Sequence, residues 1–154
     1  MEINYSDQPV KESNKSVCLA GPTPRKKEVP SWRPDACGYL KELGFDGTIY
    51  VPELSNGEAQ FNYENQIEWE WKALEEASII VFWIPRDFTN MPAFTTNVEF
   101  GYYVRDPKVV YGRPDTAQGN KYLDRLFARH HGGSVIYNDL QTLCSHVVAL
   151  LSNE

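Results

Sequence analysis

The chain has 154 residues, of which 42% are hydrophobic and 13% aromatic, so it can bury a core and is too apolar for a disordered protein. Its formal net charge of −6 argues against a nucleic-acid polymer as the partner, because binding a phosphate backbone requires a basic surface. No apolar run approaches the roughly 20 residues that span a bilayer, and the three cysteines lack metal-ligand spacing, so we expect a cytoplasmic protein with reduced thiols and no membrane partner.

Apolar runs alternate with helical patterns along most of the chain. The polar residues 1–15 are expected to be a flexible lead-in, and residues 16–154 to form one domain. Short apolar runs predict five strands, at Ser16–Gly21, Thr48–Glu53, Ser78–Pro85, Lys108–Gly112 and Ser134–Tyr137. Capped or amphipathic segments predict five helices, at Ser31–Gly44, about Phe61–Ala77, from near Thr96, Lys121–His130 and Leu140–Leu151.

Strand–helix alternation of this kind predicts a single-domain α/β protein, with a five-stranded parallel sheet and helices on both faces. We expect the strand order 2-1-3-4-5, in which the sheet reverses direction between the first and third predicted strands. Ligands of open α/β sheets bind beyond the carboxyl ends of the strands at such a point. The loops that meet there are residues 20–27, AGPTPRKK, and residues 84–96, IPRDFTNMPAFTT, so the functional site is expected between them.

Glu99 is the single charged residue of the run Pro92–Val104, and two interpretations compete for it. In the structural one, Thr96 and Glu99 form a capping box, in which the carboxylate binds back to the start of the helix. In the chemical one, a first-turn carboxylate that the helix dipole keeps ionised attacks an electron-poor sugar carbon. That is the nucleophile of a retaining glycosyl transfer, which proceeds through a covalent glycosyl-enzyme. The two interpretations are compatible.

Glu70 is the second candidate acid. On the long predicted helix, Ile67, Trp71 and Leu74 are spaced as an inward stripe, and Glu70 falls at its edge. An acid there could hold a substrate hydroxyl or carry a proton to a leaving base. The alternative is an edge residue paired with a surface cation.

Further candidates to bind substrate follow the predicted strands or begin the predicted helices. Cations at strand ends could bind a phosphate, and aromatic side chains could stack on a nucleobase, although solvated loops and core packing explain them as well. The expected substrate-binding residues are Gly21, Pro22, Arg25, Trp32, Arg33, Tyr63, Arg86, Phe94, Thr96 and Asn97. The sequence has neither a P-loop nor a dinucleotide fingerprint, and its histidines have no ligand set around them, so we expect neither a cofactor nor a metal.

Five segments occur in order: VCLAGPTPR, SWR, YVPE, QIEWEWKALEEASIIVFWIPR and FTTNVEFGYYV. Together they resemble the nucleoside 2-deoxyribosyltransferase family, most closely its nucleoside 2-deoxyribosyltransferase-like branch, from about Val17 to Tyr111. The resemblance implies a flavodoxin-like (Rossmann-like) three-layer sandwich and chemistry at the N-glycosidic bond of a (deoxy)nucleoside or nucleotide. It implies that Glu99, in VEFG, is the nucleophile and that Glu70 helps to bind sugar and base.

Departures from the family pattern leave alternatives open. Ala93 stands where well-studied transferases have an aspartate, so either transfer to a second base or hydrolysis is possible. The stretch TPRKK would suit a 5′-phosphate, as in the related deoxynucleotide hydrolases. A non-catalytic nucleotide sensor is the runner-up, and an FMN carrier a third possibility. Active members of the family are oligomers that complete each site with a neighbouring chain, so the resemblance implies a homo-oligomer, at least a dimer.

Overall fold

The computed structural model describes residues 1–57 and 63–153. Short strands form one sheet, and their bounds are β1 Glu2–Tyr5, β2 Ser16–Ala20, β3 Thr48–Val51, β4 Ile79–Trp83 and β5 Val109–Gly112. The helices are α1 Arg33–Glu42, α2 Tyr63–Glu76, α3 Phe94–Tyr103, α4 Lys121–His130 and α5 Leu140–Ser152. The expected start of the second helix, at Phe61, lies outside the described residues.

The sheet confirms the predicted architecture. All strand pairs are parallel, and the order is β1-β3-β2-β4-β5. Strands β3, β2, β4 and β5 lie in the order expected for the first four predicted strands. Every residue of β2 and β4 is buried, because helices cover both faces of the sheet. The direction in which successive strands are added to the sheet therefore reverses between β2 and β4, near the centre of the sheet.

The two edges of the sheet use other residues than those expected. Glu2–Tyr5 pairs with Thr48–Val51, so the start of the expected lead-in is the edge strand β1. Buried Asn4 ties down the following residues, since its side chain donates to the carbonyl of Pro9 and accepts from the N–H of Lys11. At the other edge, the predicted strand Ser134–Tyr137 contributes one bridge, between Tyr137 and Gly112.

Helices α1 and α5 pack on one face of the sheet, and α2, α3 and α4 on the other. Pro34 lies in the first turn of α1 and Gly44 follows its end with a positive φ of 78°, as predicted. None of the described helices is long and apolar enough to cross a membrane.

Helix α2 is rotated relative to the predicted stripe. Trp69, Ala73 and Leu74 are buried, whereas Trp71 is 55% exposed. The indole N–H of Trp69 donates to the carbonyl of Gln8 at 2.8 Å, which gives this tryptophan a polar partner inside the protein. The prediction that Trp71 points inward is therefore wrong. The helical spacing of apolar residues allows either tryptophan of the WEW run to be buried, and in the structure Trp69 packs against the core.

Helix α3 begins at Phe94, two residues before the predicted start. Ala93 at the N-cap has a left-handed backbone, with φ 61° and ψ 40°, and no described side chain caps the helix. Thr96 is thus the third helical residue, and Glu99 lies in the second turn. The capping-box interpretation of Glu99 is wrong, and the first-turn dipole argument fails with it.

Candidate active site

A cleft of about 210 Å³ opens where the loops that follow β2 and β4 meet, and α2 and the residue after β3 complete its walls. This is the expected crossover point of the sheet. Its floor consists of buried or partly buried side chains from β2, α1, α2 and α3, and its rim of exposed ones. The lining residues are Cys18, Ala20, Gly21, Pro22, Thr23, Arg25, Arg33, Pro52, Tyr63, Trp69, Glu70, Leu74, Pro92, Ala93, Phe94, Thr95, Thr96 and Glu99.

Two carboxyl groups meet in this cleft. Glu99 comes from α3 and Glu70 from α2, and their side chains are within hydrogen-bonding reach of each other. Burial and, next in size, the charge of Glu70 together raise the pKa of Glu99 to about 8, whereas the charge of Arg33 opposes the shift. Two like charges this close cannot both ionise easily, so the pair keeps one shared proton at neutral pH. The carboxyl group of Glu99 is therefore not held ionised by the dipole of α3.

Arg33 builds the floor of the cleft beneath the loop after β2. Its guanidinium is buried and donates to the carbonyls of Leu19 at 2.9 Å and Gly21 at 2.6 Å, and to the hydroxyl of Thr23 at 2.9 Å. Glu53 lies 3.7 Å away and balances the charge. Arg33 thus fixes the shape of the loop and supplies a positive potential near the two acids.

Gly21 lets the loop lie close to the sheet. Its φ is 148°, and a Cβ there would lie 2.1 Å from the carbonyl oxygen of Trp83 and 2.9 Å from the ring of Trp32. The indole of Trp32 donates to the carbonyl of Pro22 at 3.0 Å from behind the loop. Trp32 is therefore buried under the wall of the cleft and is not part of its lining.

Among the described residues, the rim of the cleft has two exposed aromatic rings and one exposed cation. Tyr63 is 66% and Phe94 68% exposed, and both line the opening. The Arg25 guanidinium lies 5.8 Å from the centre of the Phe94 ring. The backbone N–H of Arg25 donates to the carbonyl of Asn90 at 3.2 Å, which joins the two loops of the cleft. This rim offers flat apolar faces and a positive charge to a ligand.

Arg86 holds the loop before α3 from behind. It is buried and donates to Asn120 Oδ1 at 3.0 Å, to the carbonyl of Pro92 at 2.6 Å and to Asn97 Oδ1. Arg86 and Asn97 lie outside the lining of the cleft. Their bonds fix the peptide that precedes Ala93, so they position the wall that faces Glu70.

Nine of the twelve residues expected at the site line the cleft, since Trp32, Arg86 and Asn97 support it from outside. Cys18 and Trp69 were not expected in the lining. Cys18 faces α2 from the central strand, and burial raises the pKa of its thiol, so the group stays protonated. Strand alternation could have placed Cys18 and Ala20 on one face, but not which helix covers them.

Within residues 1–57 and 63–153, no cluster of three or more His, Cys, Asp or Glu side chains has an arrangement that could hold a metal ion. The described lining side chains that offer charge or a flat apolar face to a ligand include the two acids, the exposed cation and the two aromatic rings.

Comparison with known protein families identifies the family of this chain. A search of curated proteins gave no significant match. A family model described as nucleoside 2-deoxyribosyltransferase like matches residues 14–116. That range spans β2 to β5 and includes both Glu70 and Glu99, and it covers well over half of the chain. The chain therefore belongs to the nucleoside 2-deoxyribosyltransferase-like family.

Proposed function

We propose that this protein cleaves the N-glycosidic bond of a (deoxy)nucleoside or nucleotide through a covalent glycosyl-enzyme on Glu99. Membership of the family supports a glycosyltransferase-type enzyme that binds a small nucleoside. The observation that carries the proposal is the Glu99–Glu70 pair in an open cleft, where burial and the neighbouring carboxyl raise the pKa of Glu99. A protein keeps two mutually repelling carboxyls in a cleft at a cost in stability, and such pairs serve acid–base and nucleophilic chemistry.

The first step uses the shared proton. The base lies against the exposed rings of Tyr63 and Phe94, which brings the anomeric carbon toward Glu99. Glu70 accepts the proton of Glu99, and the freed Glu99 oxygen forms a bond to the anomeric carbon. The C–N bond breaks with its electron pair on the base, and Glu70 passes the proton to that nitrogen.

The second step reverses these roles. An incoming base or water loses its proton to Glu70 and attacks the anomeric carbon, and Glu99 leaves as a carboxylate. Each round therefore restores the pair with the same number of protons and needs no external acid. Transfer and hydrolysis differ in which nucleophile reaches the intermediate.

A deoxynucleotide N-hydrolase is the second candidate. The exposed guanidinium of Arg25 at the rim is the observation that favours it, because a 5′-phosphate could bind there. Ala93 supports the same reading, since it leaves a small apolar side chain where transferases carry a base-handling carboxylate.

We also propose that the protein acts as a homo-oligomer through α2 and α3. Phe94, Val98 and Tyr102 recur at a spacing of four on α3, and all are more than two-thirds exposed. Tyr63 and Trp71 are exposed on the neighbouring α2. Exposed apolar side chains on both helices, two of which line the rim of the cleft, suit an interface with a second copy of the chain.

Sedimentation velocity tests the oligomer. Val98→Lys should shift the protein to the monomer, and Tyr122→Lys is the matched control, because Tyr122 is equally exposed on α4. A wild-type protein that stays monomeric at high concentration would refute this part of the proposal.

The enzymatic proposal is tested by incubation with deoxynucleosides, ribonucleosides and their 5′-monophosphates, with free base measured by chromatography. We expect base release by the wild type and by Glu75→Gln, which changes an exposed acid of α2. Glu99→Gln should bind substrate and release no base. Tight binding by the wild type without release would instead favour the nucleotide sensor.

A further inference from the structure

Gln66 contacts the acid pair from outside the cleft. It lies one turn before Glu70 on α2, and its Nε2 donates to Glu70 Oε1 at 2.6 Å. The same nitrogen donates to the carbonyl of Pro52 at 3.0 Å, just beyond the end of β3. Gln66 thus connects the second acid of the cleft to the backbone of the sheet.

The orientation of this amide is fixed. Both hydrogens of Nε2 have acceptors, and a flipped amide would place Oε1 against a carbonyl oxygen and a carboxyl oxygen. Meanwhile Oε1 is buried and has no hydrogen-bond partner among the described residues. A buried acceptor without a partner costs stability, so the fold keeps the donor in place against a local penalty.

We propose that Gln66 is a positioning residue, which holds Glu70 in the orientation and charge state that let it accept the proton of Glu99. An N–H group binds a lone pair and stabilises the charged form of a carboxylate. The hydrogen bond from Gln66 to Glu70 therefore favours the arrangement in which the shared proton lies on Glu99. The raised pKa of Glu99 agrees with this distribution.

Other groups around the pair do not replace this interaction. Arg33 on α1 acts on Glu99, Cys18 on β2 stays protonated, and Tyr103 on α3 has its pKa raised to about 12, mainly by burial. Lys108, before β5, donates to the carbonyls at the end of α2. Among the described residues, Gln66 is the neutral side chain that donates a hydrogen bond to Glu70.

This inference rests on the proposed function, in which Glu70 must take a proton from Glu99 and then deliver it to the leaving base. A carboxylate held at one oxygen keeps the geometry for both transfers. Without Gln66, Glu70 can rotate and the proton is shared more evenly.

The test that does not depend on activity is a carbon-13 titration of the glutamate carboxyls between pH 4 and 10. In the wild type the Glu99 signal should stay at its protonated position until about pH 8. In Gln66→Met, the Glu99 signal at pH 7 should move toward the ionised position, and the last proton should leave the pair at a pH higher by about one, the size expected for one lost hydrogen bond to a charge. Gln141→Met, on exposed α5 surface, should match the wild type.

An unchanged Glu99 signal in Gln66→Met would overturn the inference. Where that variant does not fold, the side-chain amide protons of Gln66 in the wild type give the answer. These amide protons should exchange slowly with solvent, and their chemical shifts should change as the acid pair titrates near pH 8. Amide signals that do not change over that titration would also overturn the inference.

Kinetics then separate this inference from the proposed function. Gln66→Met should lower kcat by about tenfold and shift the alkaline limb of the pH profile upward, with little change in KM. In a Glu70→Gln background the same substitution should have no further effect, whereas a merely structural role would give additive losses. A wild type without base release refutes the function, while the titration still tests Gln66.

Discussion

Two partly buried carboxyl sites on the same side of the sheet have opposite surroundings. Asp124 on α4 accepts hydrogen bonds from the hydroxyl of Tyr111 at 2.8 Å and from Arg113 Nη2 at 2.7 Å. Glu99 on α3 faces a second acid, Glu70, and Arg33, the cation that opposes their repulsion, already donates to loop carbonyls. At the first site, a hydroxyl and a guanidinium compensate the charge of Asp124. At the second site, the mutual repulsion of Glu99 and Glu70 is only partly compensated.

The pKa values follow these surroundings. Burial alone would raise the pKa of Asp124, but the hydrogen bonds from Arg113 and Tyr111 outweigh it and lower the pKa. Burial and the charge of Glu70 raise the pKa of Glu99. A carboxylate with hydrogen-bond donors and a cation around it contributes to the stability of the fold. A partly buried carboxyl in a cleft that lacks such partners costs stability, and such groups are typical of sites that use them for chemistry. Substitutions at the two sites should therefore affect different properties.

The largest effect is expected on turnover. Glu99→Gln should reduce base release by about a thousandfold or more, since no other group replaces a covalent nucleophile. Asp124→Asn should leave turnover within about twofold of the wild type at a temperature where it stays folded. Steady-state kinetics of both variants measure the contrast, and similar losses in the two would erase the proposed distinction.

The next effect concerns the pH dependence of stability. The folded pKa of Glu99 is about 8, above its ordinary value of 4.5, so the folded state holds more protons between these values. The wild type should therefore lose stability as pH rises from about 4.5 to 8, by linkage. Glu99→Gln should not show this loss and should become the more stable protein by pH 8. Urea unfolding gives the free energy of unfolding of the wild type and of Glu99→Gln between pH 4.5 and 8. If the two free energies changed with pH in parallel, the raised pKa of Glu99 would be contradicted.

Asp124→Asn should cost about 1–3 kcal/mol of unfolding free energy, because Arg113 would face an amide N–H group and lose a charged partner. Asp115→Asn is the matched control. Asp115 is 79% exposed and 3.9 Å from the same arginine, so it should change stability by less than about 0.5 kcal/mol. Thermal unfolding at pH 7 compares them, and equal losses would show that burial does not distinguish the two acids.

The smallest effect is expected at the entrance to α3. Ala93 has a left-handed backbone, whereas Gly44 serves the end of α1 at a similar φ. Ala93→Gly should therefore stabilise the protein, by about 1 kcal/mol at most, because glycine adopts this conformation without strain. Gly44→Ala should destabilise by a similar amount. A destabilised Ala93→Gly would mean that the methyl group packs usefully in the wall of the cleft.

Much of the fold could be predicted because its signals are local. The apolar runs of β2 and β4, and Pro34 and Gly44 at the two ends of α1, are clear patterns, and strand–helix alternation predicts a parallel sheet. Strand β1 has four residues with one fully buried side chain, so its sequence gives little periodicity. Pairing with β3 and the side-chain bonds of Asn4 stabilise it, and neither is visible in sequence.

The cleft was predicted in position better than in detail. Topology places the loops after β2 and β4 together, so Gly21, Arg25 and Glu99 meet there as expected. The helix register of α2 and the left-handed turn at Ala93 depend on tertiary packing, which moved Glu99 out of the first helical turn. Its raised pKa could not be predicted either, because it depends on the burial of Glu99 and on its distance to Glu70.

The most direct test of the central claim is the anomeric configuration of the sugar product. With methanol added as the acceptor, proton NMR identifies the methyl glycoside before it can rearrange. A covalent intermediate on Glu99 requires two displacements, so the product should keep the configuration of the β-nucleoside. An inverted product would show that water or alcohol attacks the substrate directly, and Glu99 would not be the nucleophile.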